Sequence, residues 1–143
     1  MDRVVKKLQT RRKMMFVIVF VVGMLAVIVD SLFDIQAVDY FELRTQTLIV
    51  YGLIFYKLIE LFIIYFIFYK RHLNKYLHAQ KDETLLSGFE KNAKRFFMLV
   101  PQGNIVFGII SYKFTGSVEY LYLFLSFALI TLCLVDPKKA MKL

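Results

Sequence analysis

The chain has 143 residues, of which 59% are hydrophobic and 21% charged, and it carries a net charge of +8. Soluble domains contain about 45–50% apolar residues, and the excess here falls in long blocks, so the composition indicates a membrane protein that crosses the bilayer several times. Six Gly and two Pro are too few for a linker or a disordered chain. The single Cys133 excludes an internal disulfide and a four-Cys metal site.

Four apolar stretches are long enough to cross a membrane, at about residues 14–33, 48–69, 96–112 and 118–135. A bilayer core about 30 Å thick needs roughly 20 residues of helix, and a helix satisfies its own backbone in lipid. The stretches lack the alternation of apolar and polar residues that is typical of barrel strands. We therefore predict an all-α fold, with residues 1–143 forming one integral membrane domain, a four-transmembrane-helix bundle.

The first stretch resembles a signal peptide in one respect, because a basic segment precedes it. Its apolar part is at the long end for a signal peptide, and no small-x-small cleavage site follows it. We predict that it is an uncleaved first helix.

The distribution of Lys and Arg predicts the topology. Residues 1–13 carry six, the first loop one, the long loop over residues 70–95 seven, the last loop one and the tail three. Because cytoplasmic flanks are enriched in Lys and Arg, this alternation predicts that both termini and the long loop are cytoplasmic. The protein is then a multi-pass protein of the cytoplasmic (inner) membrane.

The same distribution explains the net charge of +8. A basic protein could bind nucleic acid, but here the positive charge lies beside predicted spans, where insertion requires it. We therefore expect no nucleic-acid partner. Attraction of the basic cytoplasmic flanks to anionic lipid is the better expectation, at about 1 kcal/mol for each Lys or Arg near the surface.

The long loop over residues 70–95 has two predicted features. Apolar residues at positions 69, 73, 76 and 77 have helical spacing, so the second helix should continue into the loop, with a stripe on the membrane surface or on a partner. Asp82-Glu83-Thr84 is predicted to be a break. Ser87 and Glu90 then have the spacing of a capping box, which would start the next helix at Ser87.

The strongest candidate for a functional site is an intramembrane charged pair, Lys57 and Glu60, near the centre of the second span. The two residues are three apart, so they share a helix face, and each charge costs about 2.5–3.5 kcal/mol at the centre of a span. Three interpretations remain open. The pair is a structural ion pair or a contact with a partner subunit, it is a proton or ion relay through Glu60, or Glu60 faces lipid in its protonated form.

A second candidate lies in the third span, where Pro101-Gln102-Gly103-Asn104 should interrupt the helix. Proline removes a backbone donor and clashes with the preceding turn. The segment is either a kink whose freed groups bond the Gln and Asn side chains, or a broken helix that lines a polar cavity, as in ion-coupled carriers.

A third set is the outer acidic group, Asp30, Asp34 and Glu119, near the predicted outer interface. Interfacial capping and solvation is one reading, and a cation site is the other. Tyr56 lies deep in the second span and should find a hydrogen-bond partner. Cys133 is expected to be buried among apolar residues.

No catalytic or cofactor-binding motif is recognisable in the sequence. There is no GxGxxG and no GxxxxGK[ST], and His72 and His78 are six residues apart, on different helix faces. We therefore expect no enzyme activity, no cofactor and no metal site. The sequence favours a small accessory or assembly subunit of a membrane complex, bound to a partner membrane protein or to copies of itself. A small ion- or proton-coupled transporter or channel is the alternative.

Overall fold

The computed structural model of the chain describes residues 2–39, 41–79 and 82–141, and every regular element within these ranges is a helix. The elements in chain order are α1 (Asp2–Leu32), α2 (Leu43–Ile64), a π-helical segment (Tyr65–Lys70), α3 (Arg71–His78), α4 (Glu83–Thr115), α5 (Val118–Leu134) and α6 (Pro137–Met141). The all-helical fold predicted from the sequence is confirmed.

The long helices alternate in direction, so the charged stretches of the sequence collect at two ends. At the basic end, the Lys7 Nζ lies 3.3 Å from Glu90 Oε1, and Gln9 Nε2 donates to Asp136 Oδ1 at 2.8 Å. These two contacts join the start of α1 to the start of α4 and to the end of α5. The opposite, acidic end contains the acids of the first loop and Glu119. The alternation of charge along the sequence thus becomes a separation of charge in space.

Among the described residues, three helices are long and apolar enough to cross a membrane: Asp2–Leu32, Leu43–His78 and Val118–Ala140. The helix that contains the third predicted span, α4, does not belong to this group, because Pro101, Gln102 and Asn104 reduce its apolar character. Yet α4 is the central helix, since it packs against α1, α2, the π-helical segment, α3 and α5. Its neighbours cover two of its polar side chains, Asn104 and Ser111, so these do not face the surroundings of the bundle.

The second predicted helix does continue into the long loop. The segment Leu43–His78 is one helical rod, and its π-helical part makes a wider turn over Tyr65–Lys70. A π-helical turn contains more residues than an α-helical turn. This shifts the inward-facing positions along the rod, so that Tyr69, Leu73 and Tyr76 all face inward. These residues belong to the predicted apolar stripe, and it packs on α4 of the same chain, so the predicted position on the membrane surface or on a partner was wrong.

Two details of the prediction were wrong. The helix α4 begins at Glu83, with Asp82 as its N-cap, because the Asp82 carboxylate accepts a hydrogen bond from the Thr84 backbone amide at 2.9 Å. Ser87 therefore lies inside the helix and caps nothing. Cys133 is exposed, not buried, because the face of α5 that packs on α1 and α4 is formed by residues such as Leu125 and Leu132.

The buried apolar residues form two clusters. The cluster toward the basic end is rich in aromatic residues, and the Tyr69 ring contacts those of Phe89, Phe96 and Phe97. The cluster toward the acidic end contains smaller residues, such as Val19, Ala26 and Ala128. A polar layer lies at the level between them, where α2 meets α4.

Candidate functional site: a polar layer between α2 and α4

The intramembrane charged pair closes on itself within the chain. Lys57 Nζ donates to Glu60 Oε2 at 2.6 Å. The two partners differ in burial, since the Lys57 side chain is 1% exposed and the Glu60 side chain is 27% exposed. The ammonium group is therefore sealed inside the protein, and the carboxylate lies at the edge of the interface.

Gly103 makes room for the ammonium group. A Cβ atom placed on Gly103 would lie 2.5 Å from Lys57 Nζ, so any larger residue would displace the lysine. The Phe107 ring, one turn further along α4, has its centroid 4.9 Å from the same Nζ. An ammonium group over an aromatic face is attracted by the ring quadrupole. Lys57 thus occupies a notch on α4 between a glycine and an aromatic ring.

The four residues predicted to interrupt the third span lie in continuous helix, so the alternative of a broken helix was wrong, and the alternative of a kink stays a prediction. The helix α4 runs from Glu83 to Thr115 with Pro101 inside it. Asn104 is fully buried, and its Nδ2 donates to the Val100 carbonyl at 2.7 Å. This bond adds a polar contact to the turn in which proline supplies no N–H. Gln102 is exposed and takes no part in the layer.

One polar atom of the layer has no partner in the part of the chain that the structure describes. This atom is Asn104 Oδ1, which is buried. A buried acceptor without a hydrogen bond costs about 1–3 kcal/mol. Within the polar layer, Asn104 therefore keeps one atom without a hydrogen bond, whereas the charges of Lys57 and Glu60 are paired.

Two polar groups of α2, Tyr56 and Glu60, lie near the edge of its interface with α4. Tyr56 lies one turn from Glu60, its side chain is exposed, and its ring contacts that of Phe107 with centroids 5.8 Å apart. Its hydroxyl makes no hydrogen bond to any described residue, so the partner expected from the sequence is not found within the chain. The Tyr56 hydroxyl and the Glu60 carboxylate both lie at the open side of the α2–α4 interface.

The outer acidic group does not assemble. Asp30 accepts a hydrogen bond from the Tyr112 hydroxyl at 2.6 Å, which joins α1 to α4. Asp34 and Glu119 are exposed. No group of three or more His, Cys, Asp or Glu side chains with the geometry of a metal site occurs among the described residues. The hydrogen bond between Tyr112 and Asp30 therefore serves as a contact between two helices.

A clamp at the basic end was missed by the sequence analysis. The Arg12 guanidinium donates from Nε to the Leu132 carbonyl at 2.6 Å and lies 3.4 Å from Asp136 Oδ1. It therefore covers free carbonyls at the end of α5, while Asp136 accepts from the Lys138 amide and starts α6. The signal was present, because Asp136 is an acid in an otherwise basic flank.

A second ion-pair group joins α1 to α4 at the same end. Glu90 Oε1 lies 2.6 Å from Lys94 Nζ and 3.3 Å from Lys7 Nζ. The hydrogen bond from Lys94, followed by that from Lys7, lowers the pKa of the Glu90 carboxyl below its usual 4.5. The Lys7–Glu90 ion pair holds the start of α1 against the start of α4.

The fold and the polar layer define a class: a small helical protein whose described residues include three helices able to cross a membrane and a charged pair that closes within one of them. Comparisons with protein-family models, with curated proteins and with solved structures each return no match for this chain.

Proposed function

We propose that the chain is a small, non-enzymatic integral membrane protein that acts as an accessory or assembly subunit of a complex in the cytoplasmic (inner) membrane. In this proposal α4 also crosses the membrane, as the third of four spans in chain order and the central helix of the bundle. The basic end faces the cytoplasm with both termini. The partner is another membrane protein that packs on the outer side of α2.

One observation carries the proposal: the Tyr56 hydroxyl and the Glu60 carboxylate lie at the open side of α2, at the middle of the proposed span. In lipid neither group finds water, and polar side chains there hold helices together because the alternative is an unsatisfied group in hydrocarbon. Lys57 is sealed against α4 and does not need a partner. A helix that supplies a hydrogen-bond donor to Glu60 and an acceptor to Tyr56 would satisfy both.

The test is purification of the tagged chain in mild detergent, followed by mass spectrometry of the proteins that accompany it. We expect a different membrane protein in stoichiometric amount. Tyr56→Phe should lower its recovery several-fold at unchanged level of the chain. Tyr51→Phe is the matched control, because Tyr51 is an equally exposed tyrosine of α2 near the other end of the helix. Equal recovery from both variants contradicts the proposed contact.

Transport is the second candidate, and the partly exposed Glu60 carboxylate favours it. A carboxylate beside a sealed ammonium group could take up and release a proton while Lys57 stays in its notch. In that case Glu60→Gln abolishes proton flux into vesicles that contain the purified chain, without loss of insertion. A homogeneous homo-oligomer with no other protein in the purification would favour this candidate.

The proposed orientation has its own test. A reporter fused after Leu143 should be cytoplasmic, and one inserted near Ser117 should be external. A cytoplasmic signal at Ser117 would mean that α4 does not span the membrane.

A further inference from the structure

A cavity at the basic end, between the start of α1 and α4, has an unusual concentration of positive charge. Its volume is about 510 Å³. The residues that line it are five cations and two others: Arg3, Lys6, Lys7, Arg11, Lys94, Thr10 and Met14. The cations recur along one face of α1 at spacings of three, four and eight residues, so the helix presents them together.

The charge of this cavity is largely uncompensated. The acid in contact with it is Glu90, which Lys7 and Lys94 share. The Thr10 hydroxyl donates to the Lys6 carbonyl within the helix at 3.0 Å, so it adds no donor to the cavity. Arg3, Lys6 and Arg11 make no ion pair with any described residue. A concave surface with this excess of guanidinium and ammonium groups attracts phosphate oxygens.

The position of the cavity favours a lipid over a soluble anion. Met14 is both the last residue that lines it and the first residue of the apolar part of α1. Beyond it, Val17, Ile18 and Val21 are exposed apolar side chains on the same helix. A phosphate held by the cations would therefore have acyl chains running along α1. Basic pockets of this kind beside spans on the cytoplasmic side bind the headgroups of anionic lipids.

The length of the cluster favours a headgroup with two phosphates. Arg3 and Arg11 are eight residues apart, about 12 Å along a helix that rises 1.5 Å per residue. Five cations line the cavity, and a headgroup with two phosphates contacts more of such a row than a headgroup with one. We infer that this cavity is a binding site for one anionic phospholipid whose headgroup carries two phosphates. The inference rests on the membrane placement proposed above but not on the accessory function.

The test uses the purified full chain in neutral detergent. Binding of diphosphatidylglycerol is followed by native mass spectrometry, with phosphatidylglycerol at twice the molar amount and inorganic pyrophosphate as separate arms. We expect saturable binding of one diphosphatidylglycerol per chain, weaker retention of phosphatidylglycerol at matched charge, and no effect of pyrophosphate. Stronger competition by pyrophosphate than by lipid would make the site one for a soluble anion and would overturn the inference.

Two double variants distinguish a specific binding site from general electrostatic attraction of the lipid to the basic end. Lys6→Gln with Arg11→Gln should weaken diphosphatidylglycerol binding at least tenfold. Arg71→Gln with Lys75→Gln removes the same two residue types from exposed positions of α3, outside the cavity, and should weaken it less than twofold. Equal weakening by both doubles would show only diffuse attraction. Partner recovery through Tyr56 is measured separately, so failure of the lipid site and failure of the accessory function are distinguishable.

Discussion

The two sides of α4 hold their neighbouring helices in different ways. Toward α5, the contact is close and apolar: a Cβ atom on Gly108 would lie 2.9 Å from Leu121 Cδ1 and 3.3 Å from the Leu121 Cα. Toward α2, the contact is made through a long charged side chain, Lys57, which reaches into the notch at Gly103. Each side has a glycine, but one admits a neighbouring helix and the other admits an ammonium group.

This difference between the two sides shows how α4, although it is less apolar than a typical membrane-spanning helix, can lie at the centre of the bundle. Apolar burial contributes little to helix association in lipid, because lipid tails are as apolar as leucine, so close packing and polar contacts take its place. The helix α4 uses close packing on one side and polar contacts on the other. Variants that affect one side alone measure each contribution separately.

The largest effect is expected from breaking the charged pair. Lys57→Met keeps much of the side-chain volume but leaves Glu60 without its cation, and loss of one member of a buried pair costs about 3–5 kcal/mol. We expect the low end of this range, about 3 kcal/mol, because Glu60 is partly exposed. Unfolding in detergent measures it. The double variant with Glu60→Leu should recover most of the loss, and a double variant as unstable as Lys57→Met would contradict the pairing.

A smaller effect is expected at the apolar side. Gly108→Ala should destabilise the protein by about 1–3 kcal/mol, because the new methyl group meets both the side chain and the backbone of Leu121. Gly88→Ala is the control on the same helix, since nothing lies within 4 Å of its Cβ position. That change should be neutral or stabilise by up to about 1 kcal/mol. The same unfolding measurement applies, and equal stability of the two variants would show that α4 and α5 are not closely packed.

The notch itself is tested by a double-mutant cycle. Gly103→Ala displaces the Lys57 ammonium group and should cost about 1–2 kcal/mol, by the usual coupling between residues in contact. In a Lys57→Ala background the lysine is gone, so the same glycine change should be neutral or stabilise by up to about 1 kcal/mol, as for Gly88→Ala. A cost that is the same in both backgrounds would mean that Gly103 acts through the helix backbone and not through Lys57.

The smallest effect is expected at the basic end, where Glu90 joins α4 to α1. Its lowered pKa means that the unfolded chain binds the proton more tightly, so the contribution to stability is complete above the unfolded pKa of 4.5 and is lost as the pH falls through the lower folded value. Unfolding temperatures between about pH 3 and pH 7 should fall less steeply on the acid side in Glu90→Gln than in the parent chain. Identical profiles would exclude a role for this carboxylate.

Much of the fold was predictable because it depends on patterns within single segments. The apolar blocks predicted helices, and the extension of α2 past Lys70 followed from the spacing of Tyr69, Leu73 and Tyr76. The broken-helix alternative at Pro101 was wrong because packing against several neighbouring helices, which the local pattern does not show, holds α4 continuous through the proline. The start of α4 was wrong because two caps, at Asp82 and Ser87, compete, and the earlier one adds a turn that packs Leu85 and Leu86 against the buried cluster.

The candidate site was predictable only in pieces. Lys57 and Glu60 were recognisable because charge in an apolar block is costly, and Gly103 and Asn104 because small and amide residues stand out there. Nothing in the sequence joins the two sets, since they lie more than forty positions apart on different helices. The Arg12–Asp136 clamp has the same character, because its members come from opposite ends of the chain.

The sequence by itself determined the helical class, the approximate extent of the helices and the division of the chain into basic and acidic ends, because hydropathy and charge act through composition alone. Only the tertiary structure decided that α4, which lacks an apolar stretch of membrane length, is the central helix, that Lys57 is sealed against Gly103 and Phe107, and that Glu60 stays at the open edge. These outcomes depend on which faces of distant helices meet, and that depends on the fit of side chains to one another.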